Sequence, residues 1–113
     1  MSAMFVPPGD RNLEPLGEGS PIHLRVVADG LEGEPYVHIT EVPAHHHIAT
    51  HSHSETEVTV VLSGTAIVGG VEYPAGTLIV IPANEQYALD AGDEALTFAV
   101  IRPRKASYEF VEK

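Results

Sequence analysis

The chain contains no cysteine, which excludes disulfide staples, thiolate nucleophiles and cysteine-ligated zinc. Basic residues are scarce, 6 against 16 acidic ones for a formal charge of -10. A surface of that sign repels phosphate backbones, so neither nucleic acid nor an anionic membrane is expected as a partner. No run approaches the roughly 20 apolar residues needed to cross a bilayer. The opening MSAMFVPPGD lacks a basic start followed by an apolar stretch, so a cytoplasmic location is expected. Also missing are a GxSxG elbow, a glycine-rich phosphate loop and a nucleotide fingerprint, which leaves acyl transfer and nucleotide binding without support. Nowhere does a 3.6-residue apolar period persist over the roughly ten residues a helix needs.

What remains is β-prone. At 113 residues with 43% hydrophobic content, the chain suits one domain with one core, and domains of this size often gain stability by pairing. Residues 1–20 hold Pro7, Pro8, Gly9, Pro15, Gly17 and Gly19, a composition that resists helix and central strand alike. They are read as an arm whose Met4, Phe5, Val6, Leu13 and Leu16 can lie across its own domain or a partner's. From residue 21 to 113 short β-prone runs alternate with turns. Strands are expected at 22–28, 36–42, 47–53, 57–62, 65–68, 77–81, 87–89, 96–102 and 107–111. Turns fall at Asp29-Gly30, Gly33, Ser63-Gly64, Gly69-Gly70, 74–76, 82–84 and 91–93. Many short strands at this spacing make a sandwich or a closed barrel. Val61, Ile67, Ile79, Ile81, Phe98 and Val100 are the expected core.

The stretch that carries chemistry runs from His51 to Gly64, HSHSETEVTVVLSG. His51 and His53 lie two apart and share one face of an extended strand. Glu57 follows four residues later, within reach of the same point if the chain bends or bulges between them. Two imidazoles and a carboxylate with coordination positions to spare form the facial triad of non-haem iron sites.

This stretch resembles the first conserved motif of the cupin family, HxHxxxExxxxxxG, filled here by His51, His53, Glu57 and Gly64. His45 stands where cupins often place a glycine, six residues before the first histidine. The second cupin motif is partly present: Gly76 and Pro82 have its spacing. Asn84 takes a glycine position, Tyr87 stands where the fourth metal-binding histidine is expected, and Ala91 replaces an asparagine. Asparagine tolerates positive φ, so Asn84 keeps the backbone geometry. The resemblance implies an all-β fold, a jelly-roll barrel of antiparallel strands, with one divalent transition metal ion per chain (Fe, Mn, Ni or Zn) held by His51, His53 and Glu57.

Tyr87 has three readings: a phenolate ligand, an unligated hydroxyl that orients substrate or relays a proton, or an ordinary buried aromatic. As a catalytic residue it belongs to the second. His47 shares the parity of His51 and His53 and is the other candidate fourth ligand, although a loop near Ala49 and Thr50 would break that parity. His45 and His46 are weaker candidates, Glu55 and Glu41 are read as solvated charges, and His23 and His38 as structural. The leading expectation is a small metal-dependent cupin enzyme acting on a small oxygen-bearing substrate, a dioxygenase among its forms, and a homodimer. The alternative is a non-catalytic module that binds a small molecule or sugar, with or without a structural metal.

Overall fold

The computed structural model describes residues 2–110. Eleven strands run along the described residues: β1 (Glu14–Pro15), β2 (His23–Asp29), β3 (Tyr36–Val42), β4 (His47–His53), β5 (Glu57–Ser63), β6 (Thr65–Val68), β7 (Val71–Pro74), β8 (Leu78–Ile81), β9 (Tyr87–Ala91), β10 (Leu96–Arg102) and β11 (Tyr108–Phe110). Every pairing is antiparallel. They form one sheet in the order β1-β2-β3-β10-β5-β8 and a second in the order β11-β4-β9-β6-β7. Strands adjacent in sequence repeatedly lie in different sheets. The sheets thus enclose an interior between them, as in a jelly roll.

The alternation of side chains builds that interior. On β5, Glu57, Thr59 and Val61 are buried while Val58, Val60 and Leu62 are less so, as expected of a strand with one inward face. Val42, Val61, Ala66, Leu89, Ala91, Leu96, Phe98 and Val100 form the packed core. Of the expected core, Val61, Ile81, Phe98 and Val100 are buried, whereas Ile79 packs against the cluster only partly buried and Ile67 is also partly exposed.

Two strands were not expected. β7 pairs with β6 across the Gly69-Gly70 turn, Val68 opposite Val71. It spans only four residues between two turns, too short for its alternation of Val71 and Tyr73 with the exposed Glu72 and Pro74 to stand out. β1 lies inside the arm and pairs with β2, Glu14 opposite Leu24 and Pro15 opposite His23. The arm is further held by the Arg25 guanidinium, which donates to the carbonyls of Asp10 and Arg11. It therefore lies across its own barrel. The last expected strand begins at Tyr108, and its Val111 lies outside the described residues.

Turn positions account for one match to the resemblance, Gly64, and for two departures from it, His45 and Asn84. Gly64 has φ +78, and a Cβ there would run into the carbonyl oxygen of Ala95, so glycine is required. His45 and Asn84 have φ of 62 and 67. Both therefore adopt the left-handed conformation that a glycine would supply at no steric penalty.

Candidate functional site

His51 and His53 come from β4, in the five-stranded sheet, and Glu57 from the start of β5, in the six-stranded sheet. A short bend at Ser54 and Glu55 carries the chain from one sheet to the other, so Glu57 meets the histidines across the interior. Glu57 Oε1 lies 3.7 Å from His53 Nε2. All three side chains are buried, at 3%, 5% and 1% exposure.

Each imidazole is oriented from behind. His51 Nδ1 lies 2.7 Å from the Ala49 carbonyl and His53 Nδ1 3.0 Å from that of Ser107. A carbonyl only accepts, so each Nδ1 carries the proton and each Nε2 presents a lone pair. Burial lowers both pKa values, aided at His53 by the Arg102 charge, so both rings are neutral near pH 7. The His51 ring is stacked on Tyr108 at 4.4 Å and 3° and flanked by Tyr87 at 4.4 Å.

The decisive group is Arg102, at the inward end of β10. Its Nε and Nη2 donate to Glu57 Oε1 at 3.0 and 2.8 Å, and Nη2 also lies 3.3 Å from His53 Nε2. Its guanidinium carbon stands 4.9 Å over the Tyr36 ring. The other Glu57 oxygen accepts from Tyr87 at 2.8 Å and from Thr59 at 3.0 Å. Burial pushes the Glu57 carboxyl up, but hydrogen bonds from Tyr87 and Arg102 and the Arg102 charge outweigh it, leaving a net lowering. Glu57 is thus an ionised carboxylate with four donors on its two oxygens.

This arrangement does not fit a two-histidine, one-carboxylate metal centre. The oxygens an ion would use are occupied by donors, and the guanidinium already sits against the His53 nitrogen that would face the ion. Two cations cannot share that space without strong repulsion. The triad is brought together as the spacing implied, but around the charge of Arg102.

Each fourth-ligand candidate has a partner in the structure. Tyr87 commits its proton to Glu57, and burial together with that neighbouring carboxylate raises its pKa well above the ordinary value. The phenolate a ligand needs is therefore disfavoured, and so is a proton relay through this hydroxyl. His47 Nδ1 pairs with Asp90 at 2.6 Å with half its side chain exposed. β4 is continuous there, but its register with β9 shifts between Ile48 and His51. That bulge breaks the shared parity on which the His47 expectation stood. Glu55 pairs with Arg104, Glu41 accepts from Thr97 and His23 lies against the Pro21 carbonyl.

His38 is more than structural. It lines the cavity, its Nδ1 is 3.0 Å from the Tyr36 hydroxyl, and burial, then the Arg102 charge, lower its pKa to about 4. Sequence reading missed Arg102 as well, although an arginine in register with the inward Phe98 and Val100 was a visible signal. Beyond these polar groups lies a cavity of about 690 Å³ walled by apolar residues including Ile48, Leu89, Phe98 and Val100.

No protein-family model and no curated protein matches the chain. Solved structures do. An RmlC-like cupin from Ralstonia eutropha superposes with a TM-score of 0.78 at 11% identity, over 99% of this chain and 78% of that one. An acetylacetone dioxygenase from Acinetobacter johnsonii gives 0.77 at 16% identity, over 100% and 80%. A double-stranded β-helix protein from Klebsiella pneumoniae gives 0.73 at 23%, over the whole of both chains. With its two antiparallel sheets and these likenesses, the chain has the cupin fold, in a small single-barrel form.

Proposed function

We propose that this protein binds a small, mainly apolar organic molecule inside the barrel, with an oxygen-bearing end turned to His51, Tyr87 and Arg102. The observation that carries the reading is the cavity itself: a space of small-molecule size lined by a few polar side chains among mainly apolar ones, which is the usual make-up of a ligand pocket. In it the neutral His51 Nε2 accepts a hydrogen bond and, if the ligand is transformed, takes a proton. Arg102 supplies the fixed positive charge. The test is a melting-temperature screen of small ketones, amides, alcohols and phenols, repeated on Leu89→Trp, which fills the cavity. Compounds should raise the melting temperature of the wild type alone. A screen without a hit, or equal shifts in the filled variant, would refute the reading.

A second reading keeps the metal-dependent enzyme, with His51, His53 and Glu57 holding one Fe, Mn, Ni or Zn ion. It is favoured by the inward Nε2 atoms, since metal-bound imidazoles commonly hold their other nitrogen on a carbonyl, and by the dioxygenase among the similar structures. A bound ion would supply Lewis acidity or, as iron, oxygen activation. This reading requires Glu57 to leave Arg102. Elemental analysis of protein purified without added metal, with oxygen uptake by iron-loaded protein, decides it: near-stoichiometric metal supports the enzyme, and no metal or uptake leaves the binding barrel.

Cytoplasmic homodimers, with no nucleic acid or membrane partner, complete the proposal. Among the described residues no helix is long and apolar enough to cross a membrane. Leu78 and Val80 are each 66% exposed and lie beside Val58 and Val60 in register, an apolar face suited to a second copy. Light scattering giving a monomer at micromolar concentration would remove the dimer.

A further inference from the structure

The outer side of the six-stranded sheet departs from the usual polar coat of an exposed antiparallel sheet. On β10, Phe98, Val100 and Arg102 line the cavity, so Ala99 and Ile101 point the other way. The register extends each of them into an apolar row. Ile101 stands opposite Val37 and Val58, and Val58 opposite Val80. Ala99 stands opposite Ile39 and Val60, and Val60 opposite Leu78. From β3 to β8 neither row holds a charge, in a chain whose formal charge is -10.

One half of this face is covered and the other is bare. Met4 and Val6 of the N-terminal arm border a groove with Val37, Ile39 and Ala99, so the arm lies over the β3 side. Ile39 is 7% exposed in that groove, whereas Leu78 and Val80 on the β8 side are each 66% exposed. Phe5, between Met4 and Val6, does not border the groove and is 87% exposed. It points away from its own sheet.

A ridge beside a trough is complementary to itself under a two-fold axis. With two such faces opposed and the axis along β10, β2 and β3 of one copy stand over β8 and β5 of the other, so each arm meets the bare half of its partner. Area favours the same arrangement. At roughly 100 Å² for each exposed aliphatic side chain, Leu78, Val80 and Ile101 offer only about 300 Å² per copy. Met4, with Phe5 at about 200 Å², raises this to about 600 Å². The partly exposed Val58 and Val60 bring it near the roughly 800 Å² that each partner gives to a stable interface. The sheet alone is too small, and the sheet with the arm is not. Charge agrees, since strongly acidic copies repel least where an uncharged strip meets its like.

We infer that two copies of this chain pair through the outer faces of their six-stranded sheets, each laying Phe5 over β5 and β8 of the other. The inference rests on the homodimer proposed above and adds its surface, its axis and its anchor.

The lack of native cysteine makes cross-linking a clean test. Phe5→Cys and Leu78→Cys are prepared separately, mixed, left to exchange subunits and oxidised. Mass spectrometry should find a disulfide joining position 5 of one chain to position 78 of the other. Val71→Cys, 51% exposed on β7 of the other sheet, should give no link with Phe5→Cys. Sedimentation equilibrium of the wild type, Phe5→Ser and Leu78→Glu supplies a second readout. Both side chains are exposed in the single chain, so both variants should keep the far-UV circular dichroism of the wild type. Each should weaken the dimer by about a hundredfold or more, because a two-fold interface loses the contact twice. A wild type that stays monomeric at micromolar concentration refutes the homodimer and this inference with it. A dimer that Phe5→Ser leaves unchanged, or in which position 5 links to position 5 or 71 and not to 78, keeps the homodimer and overturns the arm's place in it.

Discussion

Replacing Arg102 with methionine removes a buried cation and leaves its partner in place. Glu57 is 1% exposed and would lose both donors on Oε1, keeping only Tyr87 and Thr59 on Oε2. Breaking one side of such a buried pair is unfavourable by about 3–5 kcal/mol. That is a large fraction of the roughly 5–15 kcal/mol that holds a domain folded. At about 4 °C per kcal/mol for a chain of this size, the melting temperature should fall by about 12–20 °C. The loss should also depend on pH. In the wild type, the folded Glu57 pKa lies below its ordinary 4.5, so its contribution is present above that value and lost as pH falls through the folded pKa. Without the guanidinium, burial dominates and the folded pKa rises. The contribution then exists below 4.5 and is lost as pH rises through the raised value. The gap between variant and wild type should therefore narrow from pH 7 to pH 5. Adding Glu57→Gln should restore most of the stability, because a neutral amide still accepts from Tyr87 and Thr59 and can donate to His53. Urea denaturation of the four proteins of this cycle at both pH values is the assay. A deficit under about 1 kcal/mol, or one equal at both pH values, would refute the account of Glu57 and Arg102 as a buried ion pair.

Other outcomes follow from the same geometry. Gly64→Ala should lose about 2–4 kcal/mol in denaturant unfolding, since its Cβ would collide with the Ala95 carbonyl at a left-handed φ. His45→Gly should be neutral or stabilising by up to about 1 kcal/mol, because it relieves the φ of 62 and gives up only an exposed contact with Asp93. For His38, whose folded pKa is about 4 against an ordinary 6.5, stability is present above 6.5 and lost as pH falls towards 4. Partial exposure reduces the full effect to about 1–3 kcal/mol, and His38→Gln should flatten that part of a melting-temperature profile between pH 7 and pH 4.

Much of this arrangement was legible in the chain because local rules govern it. Strand alternation put His51 and His53 on one face, Ser63-Gly64 and Gly69-Gly70 marked real turns, and Asn84 announced a left-handed backbone. What stayed hidden depended on distant partners. Arg102 lies 45 residues from Glu57 in sequence, and only the pairing of β5 with β10 brings them together. The fate of the Tyr87 hydroxyl follows from that same juxtaposition. For His47 the sequence offered both the shared parity and a break near Ala49 and Thr50, and the register shift between Ile48 and His51 falls at that break. β7 escaped because it is only four residues long, Val71 to Pro74, between a Gly-Gly turn and a Pro-containing one.

Glu57 receives Thr59 and Arg102 from its own sheet and Tyr87 from the opposite one, so this polar cluster of the pocket is also a rivet between the two halves of the barrel. Descendants of this protein are therefore not equally free to change at all pocket positions. A substitution at Glu57, Arg102 or Tyr87 alters recognition and loosens the sheets together, and selection on either property constrains the other. Ile48, Leu89 and Phe98 carry no such double duty. New ligand preferences are expected to arise there first, as changes in the shape of the apolar wall around an unchanged polar cluster.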